Sequence, residues 1–307
     1  MAARVTVLAV ALAIDLVAGD PPNRWHPVAW IGSVIAAARR RLAHGSPPWL
    51  LLAGGATTVV IAALAAGAGV VVLWIAAGLG RWGFVLEAVA LSCCLSMRGL
   101  WRAAAGIATS LEAGDLASAR AALGFHLVSR PTAELEGGEV AAAAVESVAE
   151  NLTDSIVAPA LMYLAFGLPG ATLYRAVNTA DAMIGYRDGA LEHFGKLAAR
   201  ADDALNFVPA RVAALAIVLA AFVTRAAPAR AWTIALRDHR RTASPNAGWT
   251  MAAMAGALGV RLGKRGAYTL GDGPLPAPGD IRRSLVVMAA AALIVLVPAA
   301  LVALRLS

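Results

Sequence analysis

Long apolar runs separated by short, strongly polar stretches set the pattern of this chain. The clearest run is Ser284–Leu304, free of charge and bracketed by Arg282, Arg283 and Arg305. About 20 apolar residues cross the hydrocarbon core of a bilayer as an α-helix, so this run predicts one span, about 284–304. Gly45–Gly80 is also uncharged but too long for a single crossing. Gly67-Ala68-Gly69 offers a turn within it, which predicts two spans, about 50–66 and 70–97. The far ends of that hairpin carry Arg39, Arg40 and Arg41 on one side and Arg98 and Arg102 on the other. Cytoplasmic loops collect Arg and Lys, so both ends are expected inside the cell.

Three further apolar stretches are less regular. Val5–Ala18 contains Asp15. A cleaved signal peptide is the competing reading, but no small-x-small site precedes Asp20, so a retained first membrane segment (about 4–18) is expected. The stretch 155–173 holds Pro159 and the breaker Gly167-Leu168-Pro169-Gly170, and 205–224 holds Pro209 and Arg211. Arg-rich loops follow both, so a full crossing by each would strand positive charge outside. A helix broken or folding back at Gly167–Gly170 avoids this for the first. Charged and apolar residues alternate over about 98–140, which predicts one or two amphipathic helices on the cytoplasmic surface. Without an internal repeat, the pattern implies one all-α integral-membrane domain over 1–307. It is expected to be a polytopic transmembrane helical bundle with re-entrant or broken helices and polar loops on the cytoplasmic face.

Composition agrees. Apolar residues make up 60% and charged residues 15%, against about half and about a quarter in soluble domains. This excludes a disordered chain, a disulfide-stapled secreted domain and an ordinary cytosolic enzyme. The formal net charge is +7, yet no basic run is interleaved with aromatics, so no nucleic-acid partner is expected. Anchoring to anionic membrane lipids accounts for most of the arginine, with bidentate binding of anionic substrates as the functional alternative. Cys93 and Cys94 are adjacent in an apolar run and read as small buried residues.

Four polar clusters interrupt the apolar chain, and polar groups beside a membrane are functional candidates by default. The first runs from Asp15 through Gly19-Asp20-Pro-Pro-Asn23-Arg24-Trp25-His26-Pro27; an interfacial turn with a Trp anchor is the plainer reading. In the second, Glu146, Glu150 and Asp154 fall at i, i+4 and i+8, one carboxylate stripe on one helical face. Such a stripe is either a solvated acidic face or a Mg²⁺ site, since Mg²⁺ takes one or two carboxylates plus substrate phosphates. The third carries Arg175, Asn178 and Asp181 at i, i+3 and i+6, then Arg187, Lys196, Arg200, Asp202, Asp203, Asn206 and Arg211. Asp202 and Asn206 share one side of a helix; a salt-bridge network and a metal–phosphate site both remain open there. The fourth joins Arg237-Asp238-His239 to Ser244-Pro245-Asn246-Ala247-Gly248-Trp249, a capped turn entering a helix of small residues. Gly259 to Arg265 is not a P-loop: Leu258 stands where the first glycine is needed and Arg265 where Ser or Thr is.

Together these strings resemble the CobD/CbiB family of adenosylcobinamide-phosphate synthases. The matching stretches are GDPPNRWHPV (19–28), ESVAENLTDSIVAP (146–159), YRAVNTADAMIGYR (174–187), FGKLAARADDALNFVPAR (194–211) and SPNAGW (244–249), with Tyr268 beyond. Resemblance runs nearly end to end and in order. One departure is Ser129-Arg130-Pro131-Thr132, where members carry Gly-Arg-Asp-Thr; Glu134 is the acid that stands nearby.

The resemblance implies a multi-pass enzyme of the inner (cytoplasmic) membrane acting in cobalamin biosynthesis. It would use ATP and Mg²⁺ to join the free carboxylate of adenosylcobyric acid to (R)-1-aminopropan-2-ol or its O-2-phosphate. Glu146, Glu150 and Asp154 are then expected to hold Mg²⁺ or orient the amine, with Asp202 and Asp203 as the rival metal pair. Arg175, Arg187, Lys196 and Arg211 are expected at ATP, carboxylate or aminopropanol phosphate. Asp181 or His26 would take the ammonium proton. Asp20, Asn23, Arg24, Asn151, Asn178, Ser244 and Asn246 complete the expected substrate contacts. Association with other corrinoid-pathway membrane enzymes is a further expectation. Two rivals stand beside this reading: a transporter of an anionic solute, which calls for inverted repeats, and a non-catalytic scaffold for corrinoid enzymes.

Overall fold

The computed structural model describes residues 2–305, with side chains for 3–297. In chain order the helices are α1 (Ala2–Val17), α2 (Pro27–Leu42), α3 (Pro47–Gly78), α4 (Gly83–Ser92), α5 (Met97–Glu112), α6 (Leu116–His126) and α7 (Gly137–Leu152). After a π-turn at Thr153–Val157 come α8 (Ala158–Ile184), α9 (Leu191–Phe194), α10 (Lys196–Leu205), α11 (Phe207–Val223), α12 (Pro228–Asp238), α13 (Ala247–Leu258) and α14 (Pro278–Arg305). Among the described residues the one sheet is an antiparallel hairpin of β1 (Leu262–Lys264) and β2 (Tyr268–Leu270).

Among the described residues three helical stretches are long and apolar enough to cross a membrane: Pro47–Gly78, Gly80–Glu112 and Gly137–Ile184. A fourth exists if Lys196–Leu205 and Phe207–Val223 form one broken span. In α3 only 17% of the most apolar window is buried in protein, and Leu52, Leu64 and Trp74 stand 68%, 66% and 77% exposed. Apolar surface on that scale needs a hydrocarbon solvent, and a helix satisfies its own backbone there. This is a helical membrane protein. The predicted span 284–304 falls in α14, but its side chains from 298 onward, Arg305 included, lie outside the described residues.

The turn predicted at Gly67-Ala68-Gly69 does not form, because α3 continues through it. A helical glycine costs only about 1 kcal/mol relative to alanine, and hydrocarbon gives the backbone no partner except its own carbonyls. Gly69 serves packing instead: a Cβ there would sit 2.9 Å from the backbone of Pro169 and 2.8 Å from Thr172. The chain turns at Leu79–Trp82, where Gly80 takes φ 55°, so the predicted boundaries 50–66 and 70–97 give way to one long helix and one short one.

By its contacts the chain divides into two units. The first comprises Met1–Ser96, Ala158–Asn206 and Ala300–Ser307, and the second Met97–Val157 and Phe207–Ala299. In the first unit, Ile35, Ile61, Ala176, Ile184 and Phe194 form a core shared by α2, α3, α8 and α9. Helix α8 is interrupted where the sequence predicts a break, since Gly167 has φ 71° and ψ −165°. Pro169 has no N–H to give Ala165, four residues back. Arg4 of α1 makes good the loss, its Nη1 donating to the carbonyls of Leu164 (3.0 Å) and Ala165 (3.1 Å).

In the second unit, α7 from Val140 to Ala149 and α13 from Thr250 to Leu258 are buried. Both are rich in alanine and glycine, which lets backbones approach closely. Asp238, fully buried at the end of α12, accepts from Arg237 Nε and Nη2 (2.8 Å each) and the Gly271 N–H (2.8 Å), and pairs with Arg241 Nε at 3.1 Å. That single carboxylate ties α12 to the segment following β2.

Candidate functional site

Each unit gathers part of the predicted polar set. In the first, α8 and α10 build a hydrogen-bond relay. Asp202 accepts from Asn178 Nδ2 (3.1 Å) at one oxygen and from Asn206 Nδ2 (3.0 Å) at the other. The Tyr174 hydroxyl donates to Asn206 Oδ1 (2.9 Å), and Arg175 Nη1 reaches Asn178 Oδ1 (3.4 Å). The i, i+3 and i, i+4 spacings read from the sequence are thus used in space. Tyr174 is the relay member that sequence reasoning quoted but gave no role. Arg175 Nε is buried with no hydrogen-bond partner, an open donor beside this relay.

A pocket of 210 Å³ lies beyond α8, lined by Tyr186, Arg187, Glu192, Lys196, Arg200 and Asp203 among others. Three cations face two carboxylates here. Arg187 and Lys196, expected phosphate or carboxylate contacts, and Asp203, one of the rival metal pair, meet here, and Arg200 joins them one turn of α10 beyond Lys196. Asp181 lies just before, its carboxylate against the Cα of Gly185, where any Cβ would collide with it.

The Gly-Asp-Pro-Pro segment folds around Asp20, which accepts from Ser96 Oγ (3.0 Å) and faces His26 Nε2 (3.4 Å). Burial pushes the Asp20 carboxyl up, but the bonds from His26 and Ser96 and the charges of His26 and Arg175 outweigh it and hold it below its usual range. His26 Nδ1 accepts from the Val28 N–H (3.1 Å) and caps α2. In the neutral ring the proton therefore sits on Nε2, toward Asp20. Asn23 and Arg24 occupy an exposed 3-10 turn, with Arg24 over the Trp25 ring at 5.8 Å.

In the second unit, the predicted stripe starts on α7 but does not continue in α-helical register. Glu146 and Glu150 lie on α7, whereas Asp154 falls in the π-turn, whose extra residue per turn rotates it away from the i+8 position. Asn151 bridges the change, donating to the Ser147 carbonyl (2.9 Å) and accepting from Ser155 Oγ (3.2 Å). Glu146 is 5% exposed and pairs with Arg130 Nη2 at 3.6 Å. Its carboxylate also bonds Tyr268, while Oε1 has no hydrogen-bond partner. Burial and the charges of Glu146 and Glu150 together push the Tyr268 hydroxyl well above its usual pKa. The sequence assigns Arg130, Lys264 and Tyr268 no shared role, because Lys264 and Tyr268 reach Glu146 from more than a hundred residues away and Arg130 reaches it from an irregular loop.

The remaining candidates meet at the start of α11 and α13. Arg211 Nη1 donates to Asn246 Oδ1 (3.1 Å) and the Phe207 carbonyl (2.6 Å), and its guanidinium lies 3.6 Å from the Phe207 ring centroid. Trp249 stacks on His239 at 3.9 Å. Ser244 Oγ accepts the N–H groups of Asn246 (3.2 Å) and Ala247 (3.4 Å), which closes the expected turn, although the N-cap Asn246 makes no side-chain cap bond of its own.

Among the described residues no three His, Cys, Asp or Glu side chains converge as a metal-binding group. Both oxygens of Asp202 already receive amide donors. Asp203 in the cationic pocket and the Glu146–Glu150 pair, with its open buried oxygen, fit the one or two carboxylates that Mg²⁺ takes beside a phosphate.

The fold and these sites define a polytopic helical membrane protein with clusters of charged and amide side chains at helix ends. The chain matches the family described as CobD/Cbib protein over residues 8–297. It is 44% identical over 284 residues to the cobalamin biosynthesis protein CobD of Dehalococcoides mccartyi, covering 92% of each chain. It is 38% identical to the probable cobalamin biosynthesis protein CobD of Methanothermobacter thermautotrophicus (87% of each chain). With the Klebsiella pneumoniae cobalamin biosynthesis protein CobD the identity is 40%, over 91% of this chain and 88% of the other. No solved structure matches it. The chain belongs to the CobD/CbiB family.

Proposed function

We propose that this protein is a ligase of cobalamin biosynthesis. It joins the free carboxylate of adenosylcobyric acid to (R)-1-aminopropan-2-ol or its O-2-phosphate, using ATP and Mg²⁺ at the cytoplasmic face of the inner membrane. Family membership and the relatives' names support the pathway. The observation that carries the chemistry is the pocket lined by Arg187, Lys196, Arg200 and Asp203. At 210 Å³ it is below the roughly 300–1,000 Å³ of sites for drug-sized ligands. It suits a phosphate or a phosphoamine, not a corrinoid.

Activation of the carboxylate makes an acyl phosphate and releases nucleoside diphosphate; the amine nitrogen then attacks the acyl carbon and phosphate leaves. The protein's task is mainly positioning and charge stabilisation. Arg187, Lys196 and Arg200 neutralise phosphoryl oxygens. Asp203 or Glu150 would hold Mg²⁺, which supplies further neutralisation when bound. The ammonium must lose a proton before attack. Asp181, whose carboxylate lies against Gly185 in the lining of the cationic pocket, is the base in this reading, while His26 faces Asp20 instead.

The test is an assay of purified protein in detergent with adenosylcobyric acid, Mg-ATP and each amine, following amide and nucleotide product. Amide formation that stops without ATP, and that stops in Glu150→Ala or Asp203→Ala with the protein still folded, is the expected result. ATP-independent or absent amide formation overturns the reading.

A further inference from the structure

We propose that the β1–β2 hairpin of the second unit carries a binding site for a phosphoryl group, formed by Arg130, Arg261 and Lys264. The hairpin closes through Arg265-Gly266-Ala267: the Ala267 N–H donates to the Lys264 carbonyl (3.0 Å), and Gly266, at the third position of that turn, takes φ 72°, where glycine is favoured. Lys264 and Tyr268 pair directly across the strands, so their side chains share a face. Tyr268 bonds the buried Glu146 carboxylate, and Lys264 feels the same charge.

Two cavities meet on this face. The larger, 440 Å³, is lined by Arg261, Lys264 and Tyr268 among others. The smaller, 110 Å³, shares Lys264 and adds Arg130. The charges there do not cancel. Arg265 is neutralised by its two bonds to Glu139. Arg261 and Lys264 are exposed, and neither has a side-chain hydrogen bond or ion pair among the described residues. Arg130 is held from behind by Glu146, whose Oε1 is itself buried and unpaired. Among the described residues Glu139, paired with Arg265, is the one carboxylate in the lining of either cavity; Arg130 and two unpartnered cations therefore leave a surplus of positive charge that suits a multiply charged oxyanion. A phosphoryl group fills that charge better than a single carboxylate does. Its source is either a soluble nucleotide or an anionic lipid headgroup.

This inference adjoins the Glu146–Glu150 pair of the ligase reading and rests on it in part, but the two fail separately: binding can hold while amide formation fails, and the reverse. The experiment is calorimetric titration of the full chain in detergent with tripolyphosphate. The Arg187→Ala/Arg200→Ala background removes the contribution of the other pocket. One site should remain. Lys264→Ala and Arg261→Ala should each weaken it about tenfold, the loss of one charge-assisted bond, while Lys264→Arg stays within about twofold. Unchanged melting temperatures establish that the variants are folded. Displacement by ATP assigns a soluble phosphate as the source; displacement by dioctanoylphosphatidylglycerol but not ATP assigns a headgroup, and both uphold the site. Loss of all binding in the background variant, or binding unmoved by both Lys264→Ala and Arg261→Ala, overturns it.

Discussion

Asp202 offers the sharpest test of how α8 and α10 are held together. Its two oxygens each accept one amide N–H, from Asn178 at 3.1 Å and Asn206 at 3.0 Å. Tyr174 fixes the second donor, because its hydroxyl occupies Asn206 Oδ1 and leaves Nδ2 to point at the carboxylate. Asp202→Ala strands two amide donors. A buried donor left unpaired costs about 1–3 kcal/mol; Asn206 is buried and Asn178 only half-buried, so the loss should be about 2–4 kcal/mol. Asp202→Asn should cost less, about 1–2 kcal/mol. There Asn206 can flip, accept from the new amide and donate to the Tyr174 oxygen, which restores a closed relay without the charge. Melting in detergent would therefore rank wild type above Asp202→Asn and Asp202→Ala lowest. A double-mutant cycle of Asp202→Ala with Tyr174→Phe should show coupling of about 0.5–3 kcal/mol, although the two side chains meet only through Asn206. Equal melting temperatures for all three proteins, or strict additivity in the cycle, would refute the relay.

Two further predictions concern groups outside that relay. Burial raises the Asp238 carboxyl, but the bonds from Arg237 and Gly271 and the charges of Arg237 and Arg241 outweigh it and hold the group below its usual range. A folded-state pKa below the unfolded value means that stability is fully present above about pH 4 and drains away as the pH falls. Thermal melting across pH 3–6 should show an acid limb that Asp238→Asn flattens, with the variant less stable near neutrality; an unchanged limb refutes the assignment. Arg4→Ala opens the Leu164 and Ala165 carbonyls at the break in α8. Hydrogen exchange of the amides flanking Gly167 should quicken by about tenfold, one lost hydrogen bond's worth, while α13 stays protected; equal exchange in both proteins would remove Arg4 from that role.

The helical architecture was legible because membrane spans need long uninterrupted apolar runs, and these leave no ambiguity of period. The break at Gly167 was legible as well, since a glycine and a proline two residues apart deprive a helix of both geometry and a donor. The turn placed at Gly67–Gly69 was not, because glycine in hydrocarbon is as often a packing contact as a hinge, and only the partners of Gly69 on α8 distinguish the two. The hairpin escaped notice because three-residue strands carry too little alternation to register. Asp202 with Asn206 followed from spacing alone. Glu146 with Tyr268 did not, since no local pattern records a pairing between distant segments; nor did Glu146 with Arg130, since no periodicity fixes the path of the loop before α7; and the π-turn that displaces Asp154 has no signature in residue type.

The guanidinium of residue 4 serves carbonyls 160 and 161 positions later. During synthesis the donor is therefore made long before its acceptors, and Leu164 and Ala165 emerge to find α1 already in place. A permuted gene that placed α1 after α8 would reverse that order, and the interrupted helix would enter lipid with two acceptors waiting for a partner not yet made.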